Sequence, residues 1–321
     1  MINEIKTKII DGCEIDKEEA MQLIDSPLDA LCHAADEIRE AMCGNGFDLC
    51  SITNAKCGKC SENCRYCAQS AHYFTDVESY PLISGTTAAE QAKINEEAGI
   101  LRFSLVTSGR ALTDNEVDKV CEIIEEIKNS SKISVCGSFG LLNENQFKKL
   151  KNAGLSRVHN NLEASRRFFP TVCTTHTYDD KIASIKAAMS AGLNVCSGGI
   201  MGLGETMEDR IDMSLELRSL GIKSIPVNML NPIPGTPMEN NKLLKKGEMM
   251  RIVAIFRFIN PGASIRLAGG RGLMDDKGEA CFKSGANAAI TMNMLTTAGI
   301  TVNDDLDMLN NLNYKAVLLN D

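Results

Sequence analysis

Eight short apolar segments alternate along the chain with helix-length segments of mixed polarity, and this alternation restricts the possible folds most. Four of the helix-length segments end at a glycine, which readily adopts the left-handed conformation that closes a helix. Strands that alternate with helices predict a parallel sheet with right-handed crossovers. A count of eight fits closure into a (βα)8 barrel of the TIM type, with an open doubly wound sheet as the alternative. The predicted strands are 50–56, 102–107, 132–137, 157–162, 194–200, 224–230, 264–269 and 287–293.

The chain has no linker rich in Pro, Gly or Ser, so the barrel is expected to form one domain with additions at its ends. Residues 1–47 are predicted to form an N-terminal helical extension, with helices at 16–24 and 27–46. Residues 48–302 are assigned to the barrel, and 303–321 to a C-terminal capping segment. Thr113 and Asn143 are predicted to begin two of the barrel helices, because their side chains can accept hydrogen bonds from free backbone amides.

Composition excludes several classes of function. The net charge is −8 and no run of Lys or Arg stands out, so a nucleic-acid partner is not expected. No apolar stretch reaches the roughly 20 residues of a membrane span. The first residues lack the apolar core of a signal peptide, which predicts a cytoplasmic protein.

Three cysteines in one short loop carry the strongest chemical signal. Cys60, Cys64 and Cys67 are separated by three and then two residues, and Tyr66 precedes the last of them. Three thiolates can hold three irons of a four-iron cluster and leave the fourth iron open. Zinc sites usually have two ligand pairs, and no second pair follows at that spacing. An open [4Fe–4S] cluster is therefore favoured over zinc or free thiols. The loop resembles the signature of the radical S-adenosylmethionine (SAM) superfamily.

A second group of possible ligands falls on alternate predicted strands. Cys57, Cys136, Cys196 and Arg266 lie toward the C-terminal ends of the first, third, fifth and seventh strands. Alternate strands of a barrel contribute side chains to the same interior layer. These four residues are therefore predicted to hold a second, auxiliary cluster inside the barrel.

Longer motifs resemble the biotin synthase family over about residues 30–310. They are NAKCGKCSENCRYCAQSAHY (54–73), VCGSFGLLNENQ (135–146), HNNLEASRRFFP (159–170), NVCSGGIMGLGET (194–206), PVNMLNPIPGTP (226–237) and IRLAGGRG (265–272). The resemblance implies a (βα)8 barrel that inserts sulfur into dethiobiotin to give biotin. It also implies SAM and a [4Fe–4S] cluster as cofactors, with an auxiliary cluster, [2Fe–2S] in the usual family, as the sulfur donor.

The resemblance assigns roles to individual residues. Cys60, Cys64 and Cys67 match the ligands of the SAM-binding cluster. The positions that contact SAM in the family are Tyr66, Glu163, Lys181 and Ile200, with Lys181 standing where Arg is usual. Asn161 and Asn228 match residues that hold dethiobiotin, whose ureido ring needs both donors and acceptors. Three of the four auxiliary ligands are matched by Cys136, Cys196 and Arg266, and the catalytic set is Cys60, Cys64, Cys67 and Arg266.

The sequence departs from the family at the fourth auxiliary ligand. Ser104 stands on the second strand where the family has Cys, and Cys57 is an added thiol after the first strand. We expect Cys57 to take over as ligand and Ser104 to bind no iron, because an alkoxide is a harder ligand than a thiolate. Such a change would enlarge the metal span, so a four-iron auxiliary cluster is expected. The alternative is a degenerate site with a free Cys57.

The sequence leaves two alternative functions open. The first is another radical SAM barrel enzyme, such as an [FeFe]-hydrogenase maturase or a methylornithine synthase. The second is a non-catalytic Fe–S storage or sensor protein. The expected partners are a flavodoxin- or ferredoxin-type electron donor, the Fe–S assembly machinery and a second copy of the chain in a homodimer. Six further cysteines show no ligand spacing and are interpreted as small buried apolar side chains, and Cys281 has no assigned role. The six are Cys13, Cys32, Cys43, Cys50, Cys121 and Cys173.

Overall fold

The computed structural model describes residues 1–297 and 299–320. Its helices are α1 (Ile2–Ile10), α2 (Lys17–Gln22), α3 (Leu28–Cys43), α4 (Gly85–Glu97), α5 (Asp114–Ser130), α6 (Glu144–Asn152), α7 (Tyr178–Ser190), α8 (Met207–Ser219), α9 (Lys246–Ile259), α10 (Glu279–Phe282) and α11 (Val302–Asn311). Its strands are β1 (Gly46–Lys56), β2 (Arg102–Thr107), β3 (Ser134–Ser138), β4 (Arg157–His159), β5 (Asn194–Cys196), β6 (Gly199–Met201), β7 (Ser224–Met229), β8 (Ser264–Leu267), β9 (Ala288–Thr291) and β10 (Lys315–Ala316).

The parallel sheet closes on itself, which confirms the predicted (βα)8 barrel. Strands pair in the order β1, β2, β3, β4, β5, β7, β8 and β9, and β9 returns to β1. The fifth barrel position is divided into β5 and β6, which both pair with β7. Gly198 lies in the break, and a side chain there would place its Cβ 1.9 Å from the carbonyl oxygen of Pro226. The backbones therefore approach each other as closely as only glycine permits.

Local signals set the helix boundaries as predicted. Thr113 accepts a hydrogen bond from the backbone amide of Glu116, and Asn143 accepts one from Gln146. The four closing glycines all have φ between 72° and 111°, as the left-handed closing position requires. They are Gly99, Gly154, Gly192 and Gly221.

The N-terminal extension differs in detail from its prediction. The helix α1 was not predicted, and it forms because Ile5 and Ile9 share a face that is buried in an apolar cluster with α3 and α9. The helix α3 ends at Cys43, and β1 begins at Gly46 rather than at residue 50. This earlier start adds Asp48 as an inward-facing position and places Cys50 inside the strand instead of at its first residue.

The chain ends against the N-terminal end of the barrel. After α11, the short strand β10 pairs in parallel with the start of β1, with Lys315 opposite Gly46. The guanidinium of Arg157 donates hydrogen bonds to the carbonyls of Leu319 and Asn320 at 2.9 and 2.6 Å. Residues 315–320 thus lie across the floor of the barrel, opposite the end at which barrel active sites are found.

Candidate functional site

The loop that follows β1 folds back on itself and carries the three spaced cysteines. We call residues 57–71 the cysteine loop. The amide of Cys60 donates to the carbonyl of Gln69 at 2.9 Å, and the carbonyl of Cys60 accepts from Ala71 at 2.8 Å. Gly58 and Lys59 both have positive φ, 73° and 50°, so the chain turns sharply just before Cys60. The closed loop brings the ends of the cysteine motif together.

The three thiols are partly buried and interact electrostatically. Burial raises the pKa of the Cys67 thiol to about 11, with a further contribution from Cys60. Among the residues described, the three sulfurs do not all lie within 4.8 Å of one another. One zinc ion would draw them to about 3.8 Å, given bonds of about 2.3 Å. The wider spacing and the soft donor set fit a polynuclear iron–sulfur cluster.

Four residues assigned to SAM contact lie together beside this loop. Tyr66 and Lys181 both lie close enough to the Glu163 carboxyl to oppose the rise in its pKa that burial causes. The amide of Ile200 donates to the carbonyl of Glu163 at 2.9 Å. Tyr66 and Ile200 also pack against one apolar cluster. The structure therefore brings Tyr66, Glu163, Lys181 and Ile200 into one group.

Glu163 combines an unusual backbone conformation with a buried carboxyl group. Its φ is 68°, and its backbone is held by hydrogen bonds to Gly198 and Ile200. Burial raises the pKa of its carboxyl, although Lys181 opposes that shift. Its Oε2 is buried without a hydrogen-bond partner in the described structure. A ligand hydroxyl or ammonium would recover the free energy that this unsatisfied oxygen costs.

A cavity of about 280 Å³ lies between the cysteine loop and the barrel interior. Cys67 and Tyr66 line it on the loop side, and Ile52 and Ser104 line it on the barrel side. Its remaining wall is mostly apolar. Most of the residues in that wall lie at the ends of β7 and β8 and in the segment that follows β9.

Asn161 and Asn228 both line this cavity. The Oδ1 atom of Asn161 accepts from the amide of Gly198 at 3.2 Å. The carboxamide of Asn228 accepts from Gly269 at 2.9 Å and donates to the carbonyl of Gly199 at 3.1 Å. Backbone contacts therefore fix both amides, and each retains hydrogen-bonding capacity for a bound molecule.

Inside the barrel, Cys136, Cys196 and Arg266 are fully buried, and the β1 thiol that joins them is Cys50. The charges of Cys136, Cys196 and Arg266 all act on Cys50. Burial raises the pKa of the Cys50 thiol to about 12. The sulfurs of Cys50, Cys136 and Cys196 do not all lie within 4.8 Å in the described structure. The three thiols thus share the barrel interior with the guanidinium of Arg266.

Cys57 makes its contacts elsewhere. It pairs through its backbone with Tyr80, its sulfur accepts from Asn54 at 3.5 Å, and its nearby charge is Glu78. None of these contacts joins it to Cys136, Cys196 or Arg266. Sequence reasoning missed Cys50 because it began the strand at that residue. Alternation from Ile52, an inward-facing neighbour two residues on, is the signal that identifies Cys50 as inward-facing.

The other cysteines divide into several environments. Cys32 and Cys173 are buried, as expected for small apolar side chains, and Cys43 and Cys121 are partly buried. Cys281, which had no assigned role, is also buried. Cys13 is exposed, so its interpretation as a buried side chain is wrong. Its position three residues beyond α1, directly after a turn, explains the exposure.

Two polar groups near the inner thiols lack partners in the described structure. Ser104 is fully buried, and its hydroxyl has no hydrogen-bond partner. His159 lies close enough to Cys136 for the two side chains to influence each other's pKa, and its Nε2 is buried and unpartnered. Burial raises the pKa of the Cys136 thiol, but His159 and Arg102 outweigh that effect and lower it. Both polar groups line the cavity, so they face the space between the two groups of thiols.

A buried ionic floor lies beneath the inner thiols. Asp48 is fully buried and contacts Arg102 at 3.1 Å, Arg266 at 2.9 Å and Arg157 at 3.8 Å. Arg266 also donates to the carbonyls of Asp48 and Ala289, both at 3.0 Å. Arg102 lies 3.7 Å from the sulfur of Cys136. Asp48 thus ties together arginines of three other strands beneath the thiols.

No helix among residues 1–297 and 299–320 combines the length and apolar character that crossing a membrane requires.

Two family models match most of the chain. The Radical SAM superfamily model matches residues 56–217, and the Biotin and Thiamin Synthesis associated domain matches residues 226–315. A biotin synthase of Brachyspira hyodysenteriae is 61% identical over 320 residues, which cover 100% of this chain and 96% of that protein.

Solved structures with the same fold are more distant in sequence. A methylornithine synthase has a TM-score of 0.85 at 17% identity and covers 98% of this chain and 97% of its own. A maturase of the [FeFe]-hydrogenase has a TM-score of 0.83 at 20% identity, and the match covers 98% of this chain and 74% of the maturase chain. These two likenesses concern the fold alone. The family matches and the 61% identity show that the chain belongs to the biotin synthase family of the radical SAM superfamily.

Proposed function

We propose that the chain inserts sulfur into dethiobiotin in the cavity between its two groups of cysteines. The observation that carries this proposal is the arrangement of the cavity. Cys67 of the cysteine loop borders one side, Ile52 and Ser104 above the inner thiols border the other, and Asn161 and Asn228 lie between them. Two iron–sulfur sites that face one substrate pocket suit a reaction in which one site supports radical formation and the other supplies sulfur.

The cysteine loop fits a [4Fe–4S] cluster, with Cys60, Cys64 and Cys67 as ligands. With SAM bound, such a cluster supplies the radical chemistry that breaks an unactivated C–H bond, which acid–base side chains cannot do. In our proposal Glu163 orients SAM, because its unpartnered Oε2 accepts from a SAM hydroxyl or ammonium. Lys181 supplies a positive charge for the SAM carboxylate. Tyr66 and Ile200 provide apolar contacts for the nucleoside.

The substrate is held by the two amides. Backbone groups already hold the Oδ1 of Asn161 and both polar atoms of Asn228, so the remaining N–H donors and lone pairs are oriented before substrate binds. A ureido group offers both N–H donors and a carbonyl acceptor, which matches carboxamides. The apolar wall excludes water from the reacting carbons, which limits side reactions.

The auxiliary site is proposed to use Cys50, Cys136 and Cys196, with Cys50 in place of the Cys57 that the sequence suggested. Asp48 and two backbone carbonyls already hold the guanidinium of Arg266. In this proposal Arg266 therefore balances the negative charge of the cluster and does not ligate iron. Ser104 is not a ligand in this proposal. Three thiolates favour a four-iron cluster with one open iron, at which sulfide for transfer can bind.

Single substitutions compare the two candidate thiols directly. Cys50→Ser should remove iron and sulfide from the auxiliary site and stop biotin formation, while SAM cleavage persists. Cys57→Ser is the matched control and should retain both, and Ser104→Ala should do the same. Iron and sulfide are measured under anaerobic conditions with Mössbauer spectra, and biotin and 5′-deoxyadenosine by mass spectrometry. Loss of auxiliary iron in Cys57→Ser with retention in Cys50→Ser would reverse the assignment.

The other functions give different results in the same assays. A methylornithine synthase or hydrogenase maturase activity would cleave SAM without making biotin from dethiobiotin. An Fe–S storage or sensor protein would bind iron without releasing 5′-deoxyadenosine. We further propose a cytoplasmic homodimer, an electron donor of the flavodoxin or ferredoxin type, and loading by Fe–S assembly machinery. Sedimentation of the loaded protein tests the homodimer. Reduction of the clusters by each candidate protein tests the electron donor.

A further inference from the structure

Two sulfurs and a ring nitrogen from distant parts of the sequence lie together beside the cysteine loop. The sulfurs of Cys64 and Cys173 and a ring nitrogen of His176 are all within 4.8 Å of one another. The Cys173 sulfur lies 3.3 Å from Nδ1 of His176. Ligand atoms of a tetrahedral zinc ion are about 3.6–3.8 Å apart, given bonds of about 2.0–2.3 Å. Small side-chain rotations therefore bring these three atoms to the spacing of a single zinc ion.

The segment that carries the second cysteine and the histidine is fastened to the cysteine loop. We call residues 171–176 the clamp. The Oδ1 atom of Asn63 accepts from the backbone amide of Thr174 at 2.9 Å. The amide of Arg65 donates to the carbonyl of Val172 at 2.9 Å. These two bonds flank the loop thiol of the group, so the fold sets the positions of the donors in advance, which lowers the entropic cost of binding.

Two of the three donor atoms have hydrogen-bond partners that an ion would replace. The Cys173 thiol donates to Oδ1 of Asn63 at 3.4 Å. Nδ1 of His176 forms a very short hydrogen bond with the carboxylate of Glu62. When zinc binds, the two thiols release their protons to solvent, and the neutral imidazole carries its hydrogen on Nε2. The carboxylate of Glu62 then lies beside the ion, where it serves as the fourth ligand.

The composition of this group indicates which metal it suits. Thiolates and imidazole are typical zinc ligands, whereas calcium and magnesium prefer oxygen. Cys173 and His176 are separated by two residues, a spacing found within ligand pairs of zinc sites. Among the residues described, the three thiols of the cysteine loop do not come as close together as this group does. A single zinc ion therefore suits the group that includes the clamp better than it suits the three loop thiols.

We propose that Cys64, Cys173, His176 and Glu62 form a zinc site in the iron-free protein, and that zinc bound there withholds Cys64 from the iron–sulfur cluster of the loop. The sulfur of Cys64 cannot serve the zinc ion and the cluster in these two positions at once. Zinc and the loop cluster therefore exclude each other. The zinc site stands on the geometry of its own four side chains, while the competition rests on the proposed function, in which Cys64 is a cluster ligand.

The site is tested by anaerobic titration of the reduced, iron-free protein with Co²⁺, followed by back-titration with Zn²⁺. Cobalt in a tetrahedral thiolate site gives visible bands and a sulfur-to-cobalt charge-transfer band. Cys173→Ala and His176→Ala should each weaken cobalt binding by more than about 100-fold, because loss of an outer-shell partner alone costs about 10–100-fold. Cys60→Ala and Cys67→Ala are the matched controls from the loop, and both should bind cobalt with the parent affinity.

Two further measurements do not depend on how well a variant folds. X-ray absorption of the parent with one equivalent of zinc should show two sulfur ligands and two nitrogen or oxygen ligands. In a loading experiment with iron and sulfide, one equivalent of zinc added first should prevent assembly of the loop cluster in the parent, as counted by Mössbauer spectra. Circular dichroism of each iron-free variant checks its fold.

Several results would overturn the inference. Equal cobalt affinities for the parent, Cys173→Ala and His176→Ala would exclude the clamp from the site. Loss of cobalt binding in Cys60→Ala or Cys67→Ala, or three sulfur ligands on zinc, would assign the ion to the loop thiols instead. A loop cluster that assembles while zinc stays bound would refute the competition. A parent that binds zinc as expected but takes up no iron without zinc would leave the zinc site intact and refute the proposed function.

Discussion

Substitution of Asp48 by Asn tests the role of the ionic floor. Asp48 is fully buried and contacts three buried arginines, at 3.1, 2.9 and 3.8 Å. Asn preserves the volume but removes the only negative charge in these contacts. Removal of one partner from a buried ion pair costs about 3–5 kcal/mol, because the remaining charge is left uncompensated. We expect Asp48→Asn to lower the free energy of unfolding by about 3 kcal/mol, the lower end of that range, because the amide can still hydrogen-bond.

Urea unfolding of the cluster-free protein, followed by circular dichroism, measures this difference at pH 7. Asp179→Asn is the matched control, because Asp179 pairs with Arg166 at 2.6 Å but is 78% exposed. Exposed pairs contribute about 0–1 kcal/mol. A loss below 1 kcal/mol for Asp48→Asn, or equal losses for the two variants, would refute the argument.

The same comparison has a defined pH dependence. Burial would raise the pKa of Asp48, but Arg266 and Arg102 outweigh it and hold the pKa well below its usual range. The folded pKa therefore lies below the unfolded value of about 4. A group of this kind stabilises the fold fully above the unfolded pKa, and its contribution is lost as the pH falls toward the folded pKa. The stability gap between the parent and Asp48→Asn should consequently narrow below about pH 4.

Three further predictions concern the site itself. Cys60→Ala, Cys64→Ala and Cys67→Ala should each abolish release of 5′-deoxyadenosine while circular dichroism stays unchanged; parent-level release from any one of them would contradict the ligand set. Glu163→Gln should weaken SAM binding about tenfold in equilibrium dialysis, because the buried oxygen that accepts from SAM loses its charge, and unchanged affinity would rule out that contact. Asn161→Ala and Asn228→Ala should each weaken dethiobiotin binding by about 1–3 kcal/mol in calorimetry, because ureido groups lose buried partners; unchanged affinity in both would place the substrate elsewhere.

The fold was predictable because its signals are local and repeated. Alternating apolar strands and glycine-closed helices specify a parallel barrel without knowledge of any long-range contact. The helix α1 was missed because its apolar face is defined only by the packing of α3 and α9 against it. The break between β5 and β6 depends on the close approach of Gly198 to β7, which no local pattern announces.

The site was predictable where one loop carries its residues and less so where several strands contribute. The triad in the cysteine loop follows from spacing within eight residues. The inner group depends on which β1 residues face inward, and a strand predicted to begin at Cys50 left the direction of that side chain undetermined. The positive φ of Glu163 arises from tertiary packing and leaves no pattern in the sequence.

The ionic floor links strands that are distant in the sequence. Asp48 lies on β1, and the three arginines that it contacts lie on β2, β4 and β8. A barrel in which one of these strands is displaced would separate buried charges from this shared partner, which is costly. The floor therefore penalises partly closed barrels, and closure of the sheet is expected to be cooperative.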